Sequence, residues 1–361
     1  MTLHHFFKYS PIKSISCFQY LLRCRWIVLL VLLWGGVVSC SNHSHSLDDT
    51  MQAKVRGIYY WKTVFELTSS DSLFLQQHQI NRLYLRFFDV DYDTDLDGVD
   101  KSLPIATTRF RSSAPQGVEI VPVVYITNAA ITRDPHFGTL LYERIQAMAK
   151  SHGLGPIREI QLDCDWNNST RPNFFRLCQD MTDLAHADSV AVSSTIRLHQ
   201  LKSEAPPVDR GVLMVYNTGS LHNADAKNSI LDVDDVKPYV KGGIDYDLPL
   251  AFAFPTYIWG LLFRFENFCA ILHQVNFEDR ALYEPLGGGM YRVVKEHRLE
   301  GNPVYVDDII RMERSYYKEV MTAKNLILAG FEGQNQGTLL YHLDSLQLSQ
   351  FTPTEITDIL K

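Results

Sequence analysis

The chain is short of the residue patterns on which most familiar chemistries depend. Its 361 residues hold six cysteines and no C-x-x-C pair, so neither a disulfide framework nor a structural zinc site is expected. It has no P-loop, no dinucleotide fingerprint, no H-E-x-x-H and no G-x-S-x-G, which argues against nucleotide, zinc-protease and serine-hydrolase chemistry of the usual kinds. No apolar run reaches the roughly twenty residues that a helix needs to cross ~30 Å of hydrocarbon. Cations are scarce too. The first forty residues carry Lys8, Lys13, Arg23 and Arg25 and no acid. Without them 30 Lys and Arg stand against 41 Asp and Glu, a formal charge of −11. So acidic a domain disfavours nucleic acid, whose binding rewards cations that neutralise phosphates. Sugars and cations remain as partners.

What is present begins with export. The cationic stretch is followed by the apolar run Trp26 to Val38 and then by Ser39 and Cys40. That is the order of a secretory signal, with a charged region, an apolar region and a small residue at the cut. Val37-Val38-Ser39-Cys40 resembles the lipobox of bacterial lipoproteins. The resemblance implies a signal peptide over residues 1–40, a Cys40 thiol carrying diacylglycerol, and a further fatty acid such as palmitate on the new amino terminus. Several acyl chains would anchor the protein durably in the cell envelope, on a periplasmic or cell-surface face. A plain secretory signal with an incidental cysteine is the alternative. Residues 41–54 are polar and read as a tether. Cys164, Cys178 and Cys269 remain for the domain and are expected to be buried apolar fillers.

From residue 55 to residue 361 short apolar runs alternate with helical or polar stretches. Strand candidates are Val55–Thr63, Arg82–Asp91, Gly117–Thr127, Glu159–Trp166, Val190–His199, Gly211–Thr218, Leu248–Tyr257 and Gly337–Leu343. Eight such runs with helix-like intervals between most of them predict an α/β fold, a (β/α)8 TIM barrel. A doubly wound open sheet is the alternative. Phe137–Lys150 and Asn173–Ala187 place apolar residues at helical spacing, among them Leu140, Leu141 and Ile145 in the first and Phe174, Leu177 and Cys178 in the second. Val306–Asn325 reads as a long helix before the last strand, and Thr354–Lys361 as a closing one. Arg264–Asn302, with Gly287-Gly288-Gly289 as a turn, is too long for an ordinary connection and reads as an insertion after strand seven.

Barrel chemistry sits at the C-terminal ends of strands. On strand four Gln161, Asp163 and Asp165 share one face and Ile160, Leu162 and Cys164 the other. Carboxylates two residues apart on a strand lie about 6.5–7 Å apart at Cα, close enough to interact. On strand five Arg197 and His199 follow Ser193 and Thr195 at period two; on strand two Arg86 shares parity with Tyr84 and Phe88; on strand eight His342 and Asp344 share parity. An arginine inside a barrel is expected to answer a carboxylate. Tyr59, Trp61, Trp166, Tyr216, Tyr257 and Trp259 are aromatic candidates for a sugar platform, since a flat apolar ring matches a pyranose face. In the loop after strand two, Asp93, Asp95, Asp97 and Gly98 fit the opening of a calcium loop. Pro104 stands where its bidentate glutamate belongs, so a solvated acidic loop competes with a structural calcium ion.

Glu159-Ile-Gln-Leu-Asp-Cys-Asp-Trp166 resembles the fourth-strand motif D-x-x-D-x-D-x-E of chitinase-like glycoside hydrolases, and the segments around Tyr216, Tyr257 and His342 resemble their sixth, seventh and eighth strands. The chain as a whole resembles uncharacterised bacterial lipoproteins with a glycoside-hydrolase-like barrel. The resemblance implies that Asp163 and Asp165 tune the acid and orient an acetamido group, that Tyr216 helps to hold that group, and that no cofactor is needed. Ile160 replaces the first aspartate and Asn167 the acid glutamate. An amide cannot protonate a glycosidic oxygen. The expectation is an envelope lipoprotein whose barrel mouth binds a glycan, either hydrolysing it through Asp163, Asp165 and Tyr216 or serving as a non-catalytic module for glycan or protein. Arg86, Trp166, Arg197, His199, Tyr257, His342 and Asp344 are the expected substrate contacts.

Overall fold

The computed structural model describes residues 54–93, 101–134, 136–273 and 277–361. The leader and Cys40 lie outside the described residues, as does the tether up to residue 53.

Eight strands form the barrel: β1 (Val55–Tyr60), β2 (Arg82–Asp93), β3 (Glu119–Ile126), β4 (Glu159–Asp163), β5 (Ala191–Arg197), β6 (Arg210–Met214), β7 (Leu250–Pro255) and β8 (Asn335–Tyr341). Each pairs in parallel with its neighbours, and β1 pairs with both β2 and β8, so the sheet is closed. Closure excludes the open-sheet alternative. Strands rich in β-branched and aromatic residues are apolar on both faces and need cover on both, and the pairing of β1 with β8 decides that the cover is that of a barrel. Inward-facing Val55, Tyr59, Tyr84, Val121, Val212 and Leu339 fill the lumen with their neighbours. Outward-facing Ile58, Leu83, Val124, Ile160, Leu162 and Leu340 join the layer of helices. At the N-terminal end the lumen is polar: the fully buried Glu159 pairs with Arg82 at 3.1 Å and with Arg210 at 3.3 Å.

The helices are α1 (Ser69–Gln77), α2 (Asn128–Arg133), α3 (Gly138–Ser151), α4 (Arg171–Ala187), α5 (Val233–Val240), α6 (Tyr317–Gly330), α7 (Ser345–Leu348) and α8 (Pro353–Leu360). The spacing on α3 and α4 works as expected, with Leu141, Ile145, Phe174, Leu177 and Cys178 buried, but Leu140 faces solvent. Cys164 is buried as expected, whereas Cys269 is exposed. After β2 the connection is made by the short strands Lys101–Ile105 and Arg109–Phe110, and after β5 by the 3-10 turn Leu198–Lys202.

The insertion runs from Ile258 to Arg314 and is a sheet of its own, wider than the Arg264–Asn302 expected. Its five antiparallel strands lie in the order Asn267–Leu272, Ile258–Arg264, Ile309–Arg314, Met290–Val293 and Tyr283–Gly287. Leu262, Leu272, Phe277, Val293 and Ile310 give it a separate apolar core. The expected helix Val306–Asn325 is therefore half strand, Ile309–Arg314, and only the second half enters α6. Gly287, Gly288 and Gly289, all at positive φ, make the hairpin turn expected of them. The insertion begins and ends at one place, because Ser315 N–H donates to Tyr257 O at 3.0 Å.

Candidate functional site

Parity carries Gln161, Asp163 and Asp165 to the C-terminal mouth in ascending order. Gln161 is buried, accepting from Tyr59 O–H at 2.7 Å and donating to Ser193 at 3.3 Å. Asp163 is buried and accepts from Thr195 O–H at 2.6 Å and from Arg197 Nη2 at 3.0 Å. Asp165, just past the strand end, has a side chain 49% exposed and accepts from Arg197 Nε at 2.5 Å. One guanidinium thus holds two carboxylates. Burial pushes the Asp163 carboxyl up; Arg197 opposes that and Asp165 adds to it. Burial works against the charge on Arg197, but the two aspartates outweigh it and raise its pKa. The third arm of the guanidinium, Nη1, is buried with no hydrogen-bond partner among the described residues.

Beside this clamp lies a cavity of about 350 Å³ lined by Asp165, Arg197, His199, Tyr216, Asn217 and Thr218. Its aromatic wall continues across the mouth. Tyr216 stacks on Tyr341 with centroids 4.7 Å apart; Tyr341 meets Trp61 at 6.1 Å; Tyr257 lies 6.2 Å from Tyr216 and 5.1 Å from Trp259. Tyr257 O–H donates to Asn217 Oδ1 at 2.6 Å and steadies that residue at φ 51°. The loop from Asn217 to Asp232 is pinned to the insertion as well: Arg311 Nη1 donates to Asn223 O at 2.9 Å and Ala224 O at 2.6 Å, and Ser229 O–H donates to Glu313. Glu313 also takes Trp259 Nε1 at 2.7 Å and Arg311 Nε at 2.9 Å.

The mouth therefore gathers Asp163, Asp165, Arg197, His199, Tyr216 and Tyr257, although His199 gets there from the 3-10 turn rather than from the strand. Of the four other expected contacts, one is at the mouth with a different partner and three lie elsewhere. Arg86 is at the mouth but answers Asp89, with Nε–Oδ1 3.0 Å and Nη2–Oδ2 2.6 Å, instead of a strand-four carboxylate. Trp166 is buried against Phe174 and Phe175 of α4, on the helix side of the barrel wall, because it takes the parity opposite to Asp165. Asp344 caps α7, accepting from Leu346 N and Gln347 N at 3.1 Å, and pairs with Lys62 at 2.8 Å. His342 is largely buried, and burial lowers its pKa to about 4. On β8 it is Tyr341 that faces the lumen, so the parity assigned to that strand was off by one. Asn167 folds into the turn before α4: its Oδ1 accepts from Ser169 N at 2.9 Å and Ser169 O–H at 2.6 Å. Asp95 and Asp97 lie outside the described residues, as does the side chain of Asp93. Among the described residues no group of three or more His, Cys, Asp or Glu is placed to hold a metal ion.

Sequence reasoning missed Asp89, Tyr125 and Tyr341. A register shift between Arg86 and Phe88 lets Arg86 oppose Val123 while Asp89 opposes Tyr125, so both point inward. Tyr125 in turn lies level with Asp163, and burial together with Asp165 and Asp163 pushes its hydroxyl up to about 12. No periodicity marks a bulge, so Asp89 left no signal; Tyr341 did, through the parity it shares with Leu339.

No family model matches the sequence, and no curated protein is similar to it. Solved structures are. The C-terminal domain of a candidate chitinase from Desulfitobacterium hafniense superposes with a TM-score of 0.50 at 12% identity, covering 86% of this chain and 100% of that one. This chain is a TIM barrel in fold. A chitinase from Chromobacterium violaceum gives 0.49 at 12% identity over 82% of this chain and 98% of its own, and the Bacillus cereus spore cortex-lytic enzyme SleL 0.49 at 14% over 86% and 74%. At such identities the likeness is one of architecture, and the chemistry has to come from the mouth itself.

Proposed function

We propose that the protein is a lipid-anchored envelope protein whose barrel mouth binds a glycan without hydrolysing it. The observation that carries this reading is the Arg197 clamp on Asp163 and Asp165 with Asn167 turned away into a loop. Two-carboxylate hydrolysis needs a protonated acid on one side of the bond and a second carboxylate about 5–9.5 Å from it. Here Asp163 is engaged by Thr195 and Arg197, Asp165 by Arg197 and Asp89 by Arg86. Asn167, at the acid's place in the motif, is an amide and cannot serve. What remains is a cavity with an aromatic wall and fixed polar groups, the usual make-up of a small-ligand site. The fold's likeness to a candidate chitinase supports a polysaccharide as the ligand.

The test is a glycan panel offered to the full-length chain in detergent, scoring binding and reducing-end release together. Binding without release is expected. Release that disappears in Asp165→Asn would turn the assignment to a hydrolase, and no binding to any glycan would refute it.

A further inference from the structure

We propose that the mouth selects a glycan whose sugars carry free amino groups, with an ammonium standing against Asp165 and a neighbouring hydroxyl accepting from Arg197 Nη1. The proposal rests on the glycan-binding reading and names its ligand class.

Charge decides it first. Asp163 and Asp165 share a single guanidinium, and the other mouth arginine is used in full by Asp89, which it meets through two parallel bonds. Of the three carboxylates, Asp165 is the one that lines the cavity. His199 and Tyr239 share that wall, and Lys202 stands over the Tyr239 ring, 5.0 Å from its centroid, rather than on Asp165. Among the described residues the Asp165 side chain is bonded through Oδ1 alone, and it is 49% exposed. Against that carboxylate a sugar carboxylate would meet like charge, an acetamido group would bring no charge, and an ammonium would pair with it.

The second observation is independent of charge. Arg197 Nη1 is a buried N–H without an acceptor among the described residues, and Arg197 is one of the residues that line the cavity. Such a donor is costly to leave unmet. A hydroxyl oxygen meets it without bringing a second cation or anion. Ammonium and hydroxyl on adjacent carbons are what an amino sugar presents, and the two protein groups belong to side chains bonded to each other through Arg197 Nε and Asp165 Oδ1. The wall completes the match, since Tyr216 and the Tyr341 ring stacked on it offer π faces that attract cations and cover a pyranose face.

The experiment compares a glucosamine hexamer with its fully N-acetylated counterpart on the full-length chain in detergent, at pH 6 and low salt. The free-amine hexamer should bind about tenfold or more tightly. Asp165→Asn should lose that preference, and Asp183→Asn on the exposed face of α4 should keep it. Equal or tighter binding of the acetylated hexamer would overturn this proposal and leave glycan binding standing; a preference kept in Asp165→Asn would overturn it as well, assigning the effect to the acidic surface at large. Failure of both hexamers and of the wider panel would refute the glycan reading itself. Acetylating the ligand changes no protein residue, so the comparison holds even if a variant fails to fold.

Discussion

Removing Arg197 is not equivalent to removing either of its partners. Arg197→Ala leaves Asp163 buried and unpaired, and breaking such a pair costs about 3–5 kcal/mol; urea denaturation should show a loss of that size. Asp165→Asn, at a half-exposed site, should cost about 1 kcal/mol or less by the same measurement. His342 gives a pH dependence whose sign can be worked out. Its pKa is lowered from 6.5 to about 4 by burial, so between those values the unfolded chain binds more protons than the folded one. Its contribution is present above pH 6.5 and is lost as pH falls to 4, on the order of 3 kcal/mol. The raised pKa of Asp163 acts in the opposite sense, its contribution falling as pH rises, so the His342 effect is read as the difference between wild type and His342→Leu. Acid denaturation midpoints that coincide for the two proteins would refute it. Asn167→Glu puts a carboxyl where the chitinase motif has its acid but disturbs a turn that the wild-type amide oxygen caps. The variant should lose about 1 kcal/mol and release no reducing ends. Asp163, Asp165 and Arg197 were legible because strand four and strand five keep a strict period of two up to the mouth.

At the level of elements, legibility failed wherever that period breaks. The bulge at Phe87 moves Asp89 into the lumen, and the parity of β8 turns on which residue of Asn335-Gln-Gly337 is skipped. The structure answers that last question with a shift between Leu250 and Ala251, which pair with Asn335 and Gly337. Gly337 sits there at φ 126°, and a Cβ added to it would come 1.9 Å from Val55 O. Gly337→Ala should therefore loosen the seam between β8 and β1, lowering stability by about 3 kcal/mol or more through strain and contact with backbone; hydrogen exchange should rise first in β1. Protection of β1 equal to wild type would count against this account of closure. The eight strands themselves were readable because each is a short apolar run between polar stretches. The insertion was readable only as an excess of length, since its strands alternate too weakly to separate Ile309–Arg314 from the helix that follows.

For the molecule as a whole, Cys40 is the residue on which the envelope assignment turns. Cys40→Ser should abolish incorporation of a labelled fatty acid and leave the melting temperature of the barrel unchanged, because residue 40 lies outside every strand and helix described. Undiminished label on the variant would sink the lipid-anchor reading. The barrel, for its part, carries an addition that joins at a single point, where Tyr257 and Ser315 touch and the flanking Ile258 and Arg314 pair with each other. Geometrically such a module can be gained or lost without moving β7 or α6, as a graft is taken by a stem. Arg311 and Glu313 make this one no longer optional: they hold the loop that forms one wall of the cavity. Without the graft the eight strands would keep Asp165, Arg197 and Tyr216 in place, but the wall formed by Asn217 and Thr218 would lose its hold, so the fold carries the chemistry of the mouth and the insertion its outline.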